Sequence, residues 1–281
     1  KMLKENEVAL DGMVKLMFQP GEEPLTGARS MIADGLLQDP RPDVALGYHV
    51  VAGSMPMGLF VYNREGTLMN SSDNFIIDIQ GKGGHGAYPD ACIDPINIAA
   101  HMILALESVV AREIKSTQAS VLTIGKVTAG DAPNIIPDQA QLQGTLRCDS
   151  EEEREFILRR LSEVVDSVAK MYRGSAKITM LAGTPPLICD PQSVDDFVGY
   201  MRELDVPGQC EHAGMHAASS EDFSAVLSEI PGAYMFLSAG FTDGRETYNQ
   251  HHPKVEFNEE VMKSGAAYLA HCATRWLEEH K

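Results

Sequence analysis

Basic residues are scarce in this sequence. Lys and Arg number 23 against 40 Asp and Glu, which leaves a formal net charge of -17. Nucleic acid and anionic membranes are bound by clustered Lys and Arg that displace counterions, so neither is an expected partner. Long apolar runs are also missing: none reaches the length of a membrane-crossing helix, and the first residues lack the apolar centre of a signal peptide. Paired cysteines are absent. Cys92, Cys148, Cys189, Cys210 and Cys272 are odd in number, far apart and free of Cys-x-x-Cys spacing. They read as reduced, mostly buried thiols of a cytoplasmic protein. The chain opens on Lys1 rather than Met, with residues 1–10 reading as the tail of a helix, so a fragment or a processed chain is expected.

What is present is an ordinary globular composition, 44% hydrophobic and 22% charged, in 281 residues. That length accommodates two domains more readily than one. The organising stretch is residues 15–23. Val14, Leu16, Met17 and Phe18 form a short apolar run suited to a fully buried strand, and Pro20-Gly21 stops it. Glu22 and Glu23 follow at once. Ligands of open α/β sheets bind beyond the carboxyl ends of the strands, so two carboxylates stand where chemistry is usually found. Adjacent like charges are favourable only with full solvation or a cation nearby, which leaves two readings: a solvated turn, or a metal ligand beside a general base.

Residues 25–37 carry helical spacing closed by Gly35 and Pro40, and residues 44–51 read as a second buried strand with His49 near its end. A change of style follows at Ser71-Ser72. Residues 74–80 alternate as a half-exposed strand, and Asp94-Pro95 opens an amphipathic helix with Ile96, Ala99, Ile103, Leu106 and Val110 on its apolar face. Strands are expected at 120–127 and 139–147. Ser150 and Glu153 make a capping box for a helix with Ile157, Leu161, Val164, Val168 and Met171 on one face, and a strand over 176–181 closes the set. The order β-α-β-β-α-β is that of a ferredoxin-like α+β unit, with open sheet edges available for dimerisation. After 185–191 the pattern returns to α/β: a helix over 194–204, a helix capped by Ser219 or Ser220, a buried strand over 234–238, and a last helix capped by Asn258. The fold expected is a discontinuous α/β domain, residues 1–70 and 184–281, interrupted by an α+β insertion over 71–183.

Gly81-Lys82-Gly83-Gly84-His85-Gly86 matches the dinucleotide fingerprint G-x-G-x-x-G, but no helix starts at its third Gly and no acidic residue ends the next strand. The same glycines present His85 in an accessible loop, where an imidazole can donate to an oxyanion. His212 and His216 have the spacing of helical zinc ligands. The intervening Ala-Gly-Met lacks the metalloprotease Glu and disfavours a helix, so both are read as loop residues. His251-His252-Pro253 is a stiff loop element after a buried strand. Glu23, His49 and one of that His pair would make a mixed donor set for zinc, manganese or nickel, and spacing does not choose between His251 and His252.

Phe18-Gln-Pro-Gly-Glu-Glu23, Gly27-Ala-Arg-Ser-Met31, Gly47-Tyr-His49-Val50, Gly81-Lys-Gly-Gly-His85-Gly86, Asn134-Ile-Ile-Pro137, Gly144-Thr-Leu-Arg147, Glu221-Asp-Phe223 and His251-His-Pro253 together resemble the M20 family of metallopeptidases and amidohydrolases. The similarity is greatest to its hippurate hydrolase, auxin-conjugate hydrolase and N-acetyldiaminopimelate deacetylase subgroup. The resemblance implies a two-metal catalytic domain with an inserted lid that forms a homodimer, acting on the amide bond of N-acyl amino acids. It implies Glu22 as general base and acid, Glu23, His49 and His251 as metal ligands, and His85, Asn134 and Arg147 as the groups that grip the substrate carboxylate or the oxyanion. In the family the His and Asn often act on the partner subunit's site. Two further family ligands, from a Cys and a Gly-His-Asp-Gly-His segment, have no counterpart before Glu22. The alternative expectation is therefore a catalytically impaired fragment or a non-catalytic dimerising module.

Overall fold

A computed structural model describes residues 2–5, 10–204, 206 and 209–280. The first helix, α1 (Met2–Glu5), is short, and residues 6–9 of the expected helical tail lie outside the described residues. Helix α2 (Gly27–Ala33) leads to strand β1 (Ala45–Val51), then to β2 (Leu59–Tyr62) and β3 (Thr67–Met69). The middle of the chain forms β4 (Ser72–Gln80), β5 (Gly84–His85), α3 (Pro95–Glu113), β6 (Ser120–Ala129), β7 (Ile135–Ile136), β8 (Gln139–Cys148), α4 (Glu151–Met171) and β9 (Ser175–Thr184). The chain ends with β10 (Leu187–Ile188), α5 (Pro191–Arg202), β11 (Cys210–Ala213), α6 (Ser224–Leu227), β12 (Gly232–Ser238) and α7 (Val261–Glu279).

Two hydrophobic cores result. One gathers apolar residues from the two ends of the chain, including Phe60, Leu68, Phe197, Tyr234, Leu237 and Tyr268, around a sheet of order β1-β12-β2-β11. In it β1 runs parallel to β12, with His49 opposite Phe236, while β2 is antiparallel to β12. All seven residues of β12 are buried, as the near-continuous apolar run Ala233 to Leu237 requires of a central strand. The second core is built only from the middle of the chain. Four antiparallel strands in the order β6-β8-β4-β9 carry Phe75, Ile77, Ile79, Leu142 and Leu146 against α3 and α4. The chain passes between the cores at β3 to β4 and at β9 to β10, and β10 pairs antiparallel with β3 there.

The helix starts follow their caps. Asp94 accepts from the amides of Ile96 (2.8 Å) and Asn97 (3.3 Å), with Pro95 in the first turn. Ser150 accepts from Glu153 N–H at 3.3 Å, but the reciprocal half of the expected capping box is not made. The Glu153 carboxylate turns inward and accepts from the Ser120 hydroxyl at 2.9 Å instead.

Several expected elements differ. Residues 14–18 form no strand: Phe18 is 82% and Leu16 65% exposed, and Met17 packs partly against the first core. That stretch is fixed by Lys15, whose ammonium donates to the carbonyls of Leu36, Gln38 and Pro40 at 2.8–2.9 Å, rather than by a strand ladder. His212, expected in a loop, lies in β11 opposite Val61. The helix expected from Glu221 begins at Ser224, and the last helix begins at Val261 after a turn in which Asn258 Oδ1 accepts from Glu260 N–H at 3.3 Å.

Candidate active site

The Glu22-Glu23 turn is set by backbone geometry that the sequence encodes in glycine. The carbonyl of Gly21 accepts from the amides of Thr26 and Gly27, both at 3.2 Å, and Leu25 N–H donates to Glu22 O at 2.7 Å. Gly21 sits at φ +57°, and a Cβ on Gly27 would come within 1.4 Å of the Pro20 carbonyl oxygen. The chain therefore doubles back tightly on the Pro-Gly stop, with Glu22 half-buried and Glu23 exposed.

Behind the turn lies a buried acidic network. Gln19 Nε2 donates to Glu221 Oε1 at 2.8 Å and also to Asp222 Oδ1. Asp222 Oδ2 accepts from Ala28 N–H at 2.8 Å, and Glu221 accepts from Phe223 N–H at 3.1 Å and from the Tyr234 hydroxyl at 2.7 Å. Glu221 is 3% exposed and Asp222 fully buried. Their charges act on the neighbourhood. Burial first, then Glu221, Glu23 and Asp222, push the Glu22 carboxyl up to about 7. Burial and the adjacent Glu221 raise the Tyr234 phenol well beyond its ordinary range, so it stays a donor. A carboxyl poised near neutrality is able to take a proton from a water and return it to a leaving group.

The remaining candidates are placed as follows. Glu23 faces His251, with Oε1 3.7 Å from Nδ1, and both side chains are largely exposed. His251 holds a left-handed backbone, φ +66°. Its neighbours are tied down: Gln250 Nε2 donates to Val50 O at 3.0 Å, and the His252 ring stacks on Tyr248 with centroids 4.2 Å apart while its Nδ1 accepts from Lys254 N–H at 3.1 Å. Of the His pair it is thus His251 that meets Glu23. His49 lies in β1 with its Nδ1 buried and unpartnered, its ring 6.0 Å from that of Phe236. An open pocket of about 480 Å³ adjoins the His251 loop, lined among others by Phe241, Arg245, Tyr248 and Lys254.

Carboxylate and imidazole donors of this kind suit a borderline divalent ion. Among the described residues, however, no three His, Cys, Asp or Glu side chains are grouped so as to hold a metal. Of Glu23, His49 and His251, the first and last meet directly, while the buried His49 Nδ1 has no hydrogen-bond partner. His49 enters on a strand and His251 on a loop, and the relative placement of such residues is set by tertiary packing alone.

His85 and Asn134 are brought together elsewhere. The β5–β7 ladder pairs His85 with Ile135, and Gly86 N–H donates to the Asn134 carbonyl at 2.9 Å. Arg147 stands at the other end of β8, where its Nη1 donates to Ser220 Oγ at 2.8 Å. Gln19 and Tyr234 carry the network behind Glu22 and were not singled out in the sequence. The only local signal is the position of Gln19 within the Gln-Pro-Gly-Glu-Glu run.

Comparison with known proteins agrees with the eight motifs. The model of peptidase family M20/M25/M40 matches residues 1–275. The N-acetyl-L-cysteine deacetylase of Bacillus subtilis is 31% identical over all of this chain, which spans 64% of that protein's length. The hippurate hydrolase of Campylobacter jejuni is 32% identical over 95% of this chain and 68% of its own length. A solved structure described as a dinuclear metal binding peptidase from the M20 family, from Bacillus subtilis, superimposes with a TM-score of 0.76 at 28% identity, covering 99% of this chain and 68% of that one. A family match over nearly every residue, together with relatives above 30% identity along the same span, places this chain in peptidase family M20/M25/M40.

Proposed function

We propose that this chain forms part of a hydrolase that cleaves the amide bond of N-acyl amino acids or small peptides. The observation that carries the reading is the tight turn that sets the half-buried Glu22 beside Glu23, where Glu23 meets His251 at 3.7 Å; burial and the neighbouring carboxylates raise the Glu22 carboxyl. Glu22 takes a proton from the attacking water and delivers it to the departing amine. Glu23, His49 and His251 are the proposed ligands of a divalent ion, zinc, manganese or nickel, of the two in the family site. The donor chemistry and the meeting of Glu23 with His251 support this. The relatives named for N-acetylcysteine and hippurate support the substrate class.

The middle of the chain, residues 71–183, is proposed as a ferredoxin-like lid that also dimerises. His85 donates to the oxyanion, and Asn134 and Arg147 hold the substrate carboxylate, Arg147 in bidentate fashion. The placement of His85 and Asn134 at one end of the insertion and Arg147 at the other supports a homodimer in which the first two serve the partner subunit's site. Five free cysteines, four of them buried, support a reducing, cytoplasmic setting. No helix of the described residues is long and apolar enough to cross a membrane.

A second reading, a catalytically impaired dimerising module, is favoured by one observation, the lack of a three-donor group among the described residues. Turnover of hippurate and N-acetylcysteine with added zinc, manganese or nickel separates the two. Measurable turnover that Glu22→Gln abolishes, with metal content retained, supports the hydrolase; no turnover with any of these ions supports the module.

A further inference from the structure

Residues 215–224 touch the insertion and both chain crossings at successive points. His216 Nε2 meets Asn70 Oδ1 at 2.6 Å, Asn70 N–H donates to Ala217 O at 3.2 Å, and Ala217 N–H donates to Leu68 O at 2.8 Å. Arg147 donates to Ser220 Oγ at 2.8 Å. The buried hydroxyls of Thr184 and Ser224 share a hydrogen bond of 2.7 Å. Between these anchors lie Glu221 and Asp222, which receive Gln19 and the Ala28 amide and so end on the segment that presents Glu22.

Arg147 and Asp73 take different partners. That carboxylate is occupied by Arg154, whose Nε and Nη2 reach its two oxygens at 2.6 and 2.8 Å. Arg147, half-buried and one residue beyond Leu146, the strand partner of Asp73, projects to the other face of the sheet and donates to the neutral hydroxyl across the domain boundary. A guanidinium held this way has its direction fixed by an atom of the other core, and a serine held this way cannot shift without moving the two acidic residues that follow it.

We infer that Ser220 is a positioning residue: it ties Arg147 of the insertion to the Glu221-Asp222 pair, so that the seat of the insertion and the turn carrying Glu22 are set together. The consequence for turnover rests on the hydrolase reading above; the mechanical coupling does not. A hydroxyl that held only its own loop would leave the Ala28 and Phe223 amides unaffected by a change at Arg147, whereas a coupling residue passes that change across the boundary.

The test is hydrogen exchange on the full chain, comparing Ser220→Ala, Arg147→Gln, the double variant and Ser220→Thr. The amides of Ala28 and Phe223, which are bonded to Asp222 and Glu221, are expected to exchange about tenfold faster in either single loss variant, a local opening rather than global unfolding. The double variant is expected to match the singles, Ser220→Thr to restore the original rates, and Ile77 in the second core to remain unchanged. Ala28 and Phe223 rates that stay at the original value in a folded Arg147→Gln chain overturn the inference, as does acceleration that extends equally to Ile77. Should Ser220→Ala fail to fold, Arg147→Gln reads the same bond from its other side. Exchange is scored without substrate, so absent amidase activity would count against the hydrolase and leave this result standing.

Discussion

The Tyr234 hydroxyl donates to Glu221 Oε2 at 2.7 Å, and both side chains are buried. This bond shares Glu221 with Gln19 and with the Phe223 amide, so the carboxylate is satisfied on both oxygens. Tyr234→Phe removes one donor and leaves the acceptor enclosed. The expected loss is about 1–3 kcal/mol in urea unfolding, the penalty for a buried acceptor deprived of a partner. A variant as stable as the original chain would mean that water reaches Glu221.

Glu22 gives a pH dependence whose sign is fixed. Its folded-state carboxyl is raised from an ordinary 4.5 to about 7, so the native chain binds that proton more tightly than the unfolded one. The stabilisation is fully present below about 4.5 and is lost as pH rises through about 7. Glu22→Gln mimics the protonated form. Without added divalent ions, the variant is expected to melt at a higher temperature than the original chain at pH 8 and at nearly the same temperature at pH 4.5. Identical melting temperatures at pH 8 would show that Glu22 is not held among the other carboxylates.

Gly27 tests the turn itself. A Cβ there would lie 1.4 Å from the Pro20 carbonyl oxygen, a backbone atom that cannot move without opening the Gly21 bonds. Gly27→Ala is expected to destabilise by more than about 2 kcal/mol, in the range of severe overpacking. Chemical denaturation of the variant measures it, and a cost below that bound would show a turn looser than described.

Arg154 and Asp73 form the most enclosed ion pair described here, with side chains 13% and 3% exposed. Breaking it from one side strands a charge. Arg154→Met is expected to cost about 3–5 kcal/mol, and Arg154→Met with Asp73→Leu distinctly less, because the second change removes the unpaired carboxylate. Urea unfolding of both variants checks the order; a double variant weaker than the single reverses it.

Local signals were legible where the physics is local. Asp94 and Ser150 start their helices because a side-chain oxygen next to free amides stabilises a helix end whatever lies around it. The apolar faces were legible only to within a small rotation. Residues Ile157 and Leu161 are buried as expected, but the buried stripe continues through Val165 and Ala169, and Met171 is exposed. A helix repeats every 3.6 residues, so a stripe read from spacing drifts over several turns unless the packing partner is known. Residues 14–18 show the opposite limit. Their apolar composition reads as a buried strand, yet an extended segment becomes a strand only when a neighbour offers a ladder, and here Lys15 binds carbonyls in place of one.

The candidate site divides the same way. Glu22 and Glu23 stood out because they follow a stop signal. The meeting of Glu23 with His251 and of Gln19 with Glu221 joins opposite ends of the chain, and no pattern in a single sequence carries such a distance. The motif resemblance named most of these residues, but the partners that raise the Glu22 carboxyl came from the folded chain.

The two passages between the cores run side by side, with β3 and β10 bonded as an antiparallel ribbon. A single tether would let the inserted body swivel in any direction. A bonded pair of strands resists twisting and shear far more than bending across its width. Met69 and Leu187, paired in that ribbon, are buried in the first hydrophobic core, so both tethers of the insertion are rooted at one place in that interior.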